Sequence, residues 1–252
     1  MKKSALFAYI EELQGGAPWG HVLDAGTGTH SMGWILSLAT ERWTAVSGSS
    51  AHAAQVRALA GARMRDGDRL LVGNWADPAL LAGEAYDTVL ADYLLGAVEG
   101  FAPYFQTELF ARLRPLTRGR LYVTGLEPYV VAPPEDEAGQ IVWEIGRFRD
   151  ACLTLAGELH YREYPLDWVL ARLERSGFRV VAARKFNIRY KAAFVNSQID
   201  MCGPRLDRRA NRGLAGALRS HGEELRGRAL AFVEAHGGLR HGFDYVIAAD
   251  PM

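Results

Sequence analysis

The sequence predicts an α/β fold: an open, mostly parallel sheet of seven strands with helices on both faces. Three observations predict it. Short apolar runs alternate with stretches carrying apolar residues at helical spacing, and that alternation repeats through five strands. The first run, from His21, ends in Asp24-Ala25-Gly26-Thr27-Gly28 and passes directly into a helical pattern. The chain has 252 residues, enough to bury a large single core.

Taken in order, residues 3–14 place Leu6, Ile10 and Leu13 on one helical face before the Gly15-Gly16 break. The first strand and its glycine turn follow, and residues 35–39 are expected to complete the first crossover helix. A second strand covers residues 43–47 and ends in Gly48-Ser49-Ser50. A helix over residues 53–63 carries Val56, Leu59 and Ala60 as its apolar stripe, and a third strand over residues 69–73 leads into Asn74-Trp75. Residues 86–92 are continuously apolar in character, as in a strand covered on both faces, and end in Asp92-Tyr93. A helix is expected over residues 104–113, with Phe105, Leu109 and Leu113 on one face, and a fifth strand over residues 119–125.

The alternation then stops. Residues 126–164 form an insertion, with Ile141, Ile145, Phe148 and Cys152 at helical spacing and an acidic triplet, Glu135-Asp136-Glu137, read as a solvated loop tip. Residues 165–176 form a helix closed by Gly177, and residues 178–190 a long sixth strand. A second helical insertion, residues 195–240, is arginine-rich, with Leu206, Ala210, Leu214, Leu218 and Leu225 as its apolar positions. The last strand covers residues 244–249. The expected organisation is one domain, 1–252, with a substrate cap at 126–164 and a helical insertion at 195–240.

Composition narrows the function classes. The 29 basic and 29 acidic residues cancel, so the overall positive field of a nucleic-acid binder is missing. Cys152 and Cys202 lack metal-ligand spacing, so no metal site is expected and both are read as reduced buried thiols. The segment after Met1-Lys-Lys is too short for a secretory signal and is ended by Glu11 and Glu12, and no run is long enough to span a bilayer. The reading is a soluble cytoplasmic protein with a small-molecule substrate and no nucleic-acid or membrane partner.

At the glycine turn, Gly26 and Gly28 lack a β-carbon, so a ligand can approach the backbone closely, and the helix opening there offers unpaired N–H groups. A dinucleotide fingerprint would need a third glycine where Ser31 stands. The pattern Asp24-Ala-Gly-Thr-Gly28 instead resembles the first motif of the class I S-adenosylmethionine (SAM)-dependent methyltransferases, with His30 in place of the usual third small residue. Arg112-Leu-Arg-Pro-Leu-Thr-Arg-Gly-Arg-Leu-Tyr-Val123 resembles the helix, turn and fifth strand of the same family.

The resemblance implies a Rossmann-like sheet whose seventh strand runs antiparallel between the fifth and sixth, and SAM as cofactor. It implies cofactor contacts from Asp24, Gly26, Thr27, Gly28 and His30 at the turn, and from Ser49 or Ser50 at the second strand end, where the family's ribose-binding carboxylate is missing. Asn74 and Trp75 fall at the adenine position and Asp92 at the end of the fourth strand. Tyr93 and Tyr129 are candidates for holding the cationic sulfonium, and His160 or His30 for a general base. Methyl transfer to a nitrogen or sulfur of a small molecule is the expected reaction. The alternatives are another reaction of SAM (aminocarboxypropyl transfer, or cyclisation to azetidine-2-carboxylate with release of methylthioadenosine) and a non-catalytic protein of the same fold.

Overall fold

The computed structural model describes residues 4–208 and 212–252. The chain begins with helix α1 (Ala5–Gln14), capped by the Ser4 hydroxyl, which accepts from Leu6 N–H. Strand β1 (His21–Asp24) leads through the glycine turn into α2 (Thr29–Ile35), then β2 (Arg42–Ser47), α3 (Ser50–Ala60), β3 (Arg69–Val72) and β4 (Tyr86–Asp92). Next come α4 (Leu94–Ala97), α5 (Gln106–Leu113), β5 (Thr117–Leu126), α6 (Glu137–Leu155), α7 (Leu166–Arg175) and β6 (Phe178–Tyr190). Helices α8 (Ala192–Asp200), α9 (Gly203–Asp207) and α10 (Arg212–His236) precede the last strand, β7 (Leu239–Pro251).

The seven strands form one sheet in the order β3-β2-β1-β4-β5-β7-β6. The first five are parallel, with Asp24 paired to Ala45 on one side and to Leu90 on the other. Cross-strand contacts give the sense of the last two. Arg120 Nε donates to Asp250, Gly125 faces the Tyr245 ring, and Glu127 N–H bonds Phe243 O, so β7 descends as β5 rises. Met252 N–H bonds Gly177 O, and Gly238 abuts Tyr190 O, so β6 and β7 are antiparallel too. The seventh strand therefore lies antiparallel between the fifth and sixth, as the family resemblance implies.

Burial explains the strand composition. Val22 belongs to a core cluster with Phe7, Ile10, Met32, Ile35 and Val56 from α1, α2 and α3. Leu23, one residue on, belongs to a second cluster with Leu109, Leu113, Val169 and Leu173 from α5 and α7. Successive side chains point to opposite faces, and both faces are covered, which is why β1 and β4 read as apolar runs without polar alternation.

Several boundaries differ from the sequence reading. The first crossover helix stops at Ile35, because Ser37 N–H and its hydroxyl both bond Trp34 O and tighten the chain into a turn. Helix α3 begins three residues early at Ser50, and Leu59 of the expected stripe is exposed, the buried face being Ala53, Val56 and Ala60. Tyr104 cannot start α5: its φ of +68° is left-handed, which helical backbone excludes. On α10 the buried positions are Ala215, Gly222, Leu225 and Ala229, whereas Leu214 is exposed. Ala210 and residue 3 lie outside the described residues. The acidic triplet Glu135-Asp136-Glu137 is exposed, as read, and Asp136 in addition caps α6 by accepting from Gly139 N–H at 2.9 Å.

The chain divides into two units. One comprises the described residues through Leu126 with Tyr161–Phe186 and Tyr245–Met252, and holds the sheet core. The other comprises Glu127–His160 and Asn187–Asp244. In it, α6 buries Ile141, Ile145, Phe148 and Cys152, the residues that helical spacing singles out. Both cysteines are free and buried, with the Cys202 thiol donating to Gln198 O at 3.3 Å.

Candidate functional site

The turn after β1 is tied into the sheet on both sides. Ala25 N–H bonds Leu90 O of β4, and Thr27 N–H bonds Val46 O of β2, each at 2.8 Å. Beneath it lies Asp24, fully buried. Its Oδ2 accepts from the Ser31 hydroxyl at 2.7 Å, and Gly28 N–H donates to the same Ser31 oxygen at 3.1 Å, so a short relay fixes the mouth of α2. Burial pushes the Asp24 carboxyl up to about 7, against the opposing pull of these hydrogen bonds. The residue is a support under the turn and does not line the cavity above it.

The two glycines do different work. A β-carbon on Gly26 would stand 3.0 Å from the Leu94 side chain, so Gly26 packs tightly against the segment after β4. A β-carbon on Gly28 would meet nothing within 4 Å, so its backbone faces open space. The Thr27 hydroxyl is buried beside the Asp24 carboxyl, where its hydrogen bonding opposes the effect of burial, and it makes no other side-chain hydrogen bond among the described residues.

Gly26 and Thr27 line a cavity of about 90 Å3 at the carboxyl ends of β1, β2 and β3, together with Ser47, Gly48, His52, Asn74, Trp75 and Phe101. This is the crevice where open parallel sheets bind ligands. Trp75 is 4% exposed, and its Nε1–H donates to Ala25 O at 2.7 Å, bracing the turn from β3. Asn74 donates from Nδ2 to Phe101 O at 2.7 Å and accepts from Ala76 N–H at 3.0 Å.

At the end of β2 the lining residues are Ser47 and Gly48, whereas Ser49 and Ser50 do not line the cavity. Ser49 is the N-cap of α3, accepting from His52 N–H at 3.3 Å, and Ser50 is the first helical residue. His52 was not singled out by sequence. The usable signal was the capping serine, which fixes where α3 begins and hence which residues of its first turn face the sheet end.

After β4, Leu94, Ala97, Val98 and Phe101 line the cavity, and Asp92 and Tyr93 do not. Asp92 Oδ1 accepts from the Thr124 hydroxyl at 2.5 Å, and burial raises its carboxyl above the ordinary range. Tyr93 has a φ of +48°, uncommon for a non-glycine residue, and its N–H is directed at Thr124. His30 is exposed and stacks on Phe7 at 4.9 Å, against α1.

Of the other candidates, Tyr129 and His160 belong to the second unit. The Tyr129 hydroxyl accepts from Arg149 Nη1 at 2.7 Å, and Arg149 also binds Asp150 and Gln198. His160 is half-buried. Its neighbour Tyr161, which sequence reasoning passed over, is half-exposed and lines the cavity, and burial raises its hydroxyl. Among the described residues, no group of three His, Cys, Asp or Glu side chains could hold a metal, and no helix is long and apolar enough to cross a membrane.

The fold so described is that of the class I SAM-dependent methyltransferases. A Bacillus halodurans protein assigned as a methyltransferase superposes with a TM-score of 0.61 over 99% of this chain and 100% of its own, at 12% identity. A Geobacter sulfurreducens SAM-dependent methyltransferase in complex with S-adenosylhomocysteine gives 0.53, at 18% identity, with 98% and 90% of the two chains covered. Mycolic acid cyclopropane synthase complexed with the same product gives 0.57, at 17% identity, covering 97% and 83%. No protein-family model and no curated protein sequence matches the chain.

Proposed function

We propose that the protein is a SAM-dependent methyltransferase acting on a nitrogen or sulfur of a small molecule. The observation that carries the reading is the turn over Asp24, with an open backbone at Gly28, at the sheet end where this fold binds ligands. Two solved neighbours of the same fold hold S-adenosylhomocysteine, the product left when SAM loses its methyl group.

The residues fit the group as follows. Gly28 and Thr27 would meet the amino-acid portion and ribose through backbone approach and the Thr27 hydroxyl. Ser47 and His52, which line the cavity, would serve the ribose, where the family carboxylate is missing, and Trp75 and Asn74 would serve the adenine. When bound, SAM supplies a methyl group already activated by its sulfonium. The protein's task is to position an acceptor and exclude water, and orientation of this kind is worth about 7 to 11 kcal/mol in favourable models. A general base is needed least by a thiolate or free amine, which is why those acceptors are favoured. Tyr161 at the cavity joins Tyr93 as a candidate side chain for acceptor and sulfonium, and Tyr129 and His160, in the second unit, are candidates by sequence position alone.

The experiment is product analysis after incubation with SAM and a panel of amines and thiols. S-adenosylhomocysteine supports methyl transfer; methylthioadenosine supports cleavage elsewhere on the sulfur, the reading that an uncharged ribose site permits. Absence of both, with no calorimetric affinity for either nucleoside, supports a non-catalytic role.

A further inference from the structure

The second unit contains a larger cavity, about 520 Å3, that none of the sites above uses. It is built where β6 ends and β7 begins, from Asn187, Arg189, Arg240 and His241, with Phe243 and Asp136 at its sides. From this arrangement we infer that the cleft is a binding site for a small organic carboxylate bearing an apolar group.

The backbone places the two arginines together. Gly238 has a φ of +132°, and a β-carbon there would lie 2.7 Å from Arg189 Cγ and 2.8 Å from Tyr190 O. Only glycine lets β7 start this close to β6, and the stem of Arg189 lies along it. Arg240 is two residues further on, in the first residues of β7, and lines the same cleft as Arg189. Both arginines are exposed, and among the described residues neither guanidinium has a hydrogen-bond or ion-pair partner. The contrast within the unit is informative: Arg149, Arg205, Arg226 and Arg228 are each paired with a carboxylate.

Like charges gathered in one concavity repel, and an anion between them removes that cost. A guanidinium offers a planar fork of donors matched to a carboxylate or phosphate. Charge decides between the two. The arginines contribute two positive charges, and Asp136, held in place as the cap of α6, one negative, leaving the charge of a single carboxylate to be balanced. Ile188 and the 41% exposed ring of Phe243 give the cleft an apolar wall for the remainder of the molecule. His241 is held on the other side, its ring beside Gly139 and within 3.4 Å of Tyr129 O, so it shapes the floor.

The test uses the full chain and three probes: phenylacetate, phenyl phosphate and 2-phenylethylamine, titrated calorimetrically at low salt without any nucleoside. The expected result is saturable binding of phenylacetate, weakened about tenfold or more in Arg189→Ala and in Arg240→Ala. Binding should be lost in the double variant and partly restored by Arg240→Lys. The amine should not bind. The side chains are exposed, so circular dichroism should confirm that the variants fold. Tighter binding of phenyl phosphate than of phenylacetate overturns the assignment to a carboxylate. No anion binding, equal binding of the amine, or unchanged affinity in the double variant overturns the site. Because no nucleoside is present, these outcomes are independent of whether the first unit binds SAM.

Discussion

The ring of Phe101 lies against Gly48, with ring carbons 2.7 Å from the point where a β-carbon on that glycine would stand. Its carbonyl is simultaneously held by the Asn74 amide at 2.7 Å. A single residue of the segment after β4 thus bridges the ends of β2 and β3 at the wall of the cavity.

On the proposed reading, an adenosyl group entering this cavity would displace the Phe101 ring from Gly48. Phe101→Ala removes the ring, and the expected result is tighter binding of S-adenosylhomocysteine, on the order of fivefold, as the competent state ceases to be the minor one. Stopped-flow fluorescence should show the gain in the association rate. Weaker binding would mean that the ring is a wall of the occupied site and not an obstacle to it.

Thr27→Val separates a binding role from a structural one. The hydroxyl's side-chain hydrogen bonding is confined to the Asp24 carboxyl, so an isosteric apolar replacement should cost no more than about 1.5 kcal/mol of stability. Affinity for S-adenosylhomocysteine should fall by roughly 1 kcal/mol, about fivefold. A fall in melting temperature with unchanged affinity would assign Thr27 to the fold alone.

Asp24 makes stability depend on pH in a defined direction. Its folded-state carboxyl titrates at about 7 against an ordinary value of 3.8, because burial disfavours the charge. The stabilisation that goes with the neutral form is fully present below 3.8 and is lost as pH rises through about 7. Melting temperature should thus fall between about pH 4 and pH 7 in the wild type and level off above that, and fall less in Asp24→Asn, whose amide is neutral throughout. Parallel curves for the two proteins would show that Asp24 is ionised across that range.

Much of the fold is legible because it is written in local patterns. The strand-turn-helix at Asp24 to Gly28, the apolar run of β4 and the period of α6 and α7 each report burial directly. The ends of elements are less legible. Ser37 stops α2 by capturing Trp34 O, and Tyr104 breaks the chain before α5 with a left-handed backbone, and neither event has a compositional signature. The site divides the same way. Gly26, Thr27, Asn74 and Trp75 follow from their places at strand ends. Ser47 and His52 are displaced by two residues from the expected Ser49 and Ser50, because Ser49 caps α3 and Ser50 enters it. Phe101 and Tyr161 come from irregular segments that periodicity does not reach.

The central claim is that an adenosyl group lies over the backbone at Gly28. Its most direct measurement is calorimetric titration of S-adenosylhomocysteine into the wild type and Gly28→Val. Gly28 is extended, with a φ of −135° and empty space where a side chain would go, so the variant should fold and melt like the parent. The account predicts one-to-one binding by the wild type and its loss in Gly28→Val; equal binding by both proteins, or none by the wild type, would contradict it.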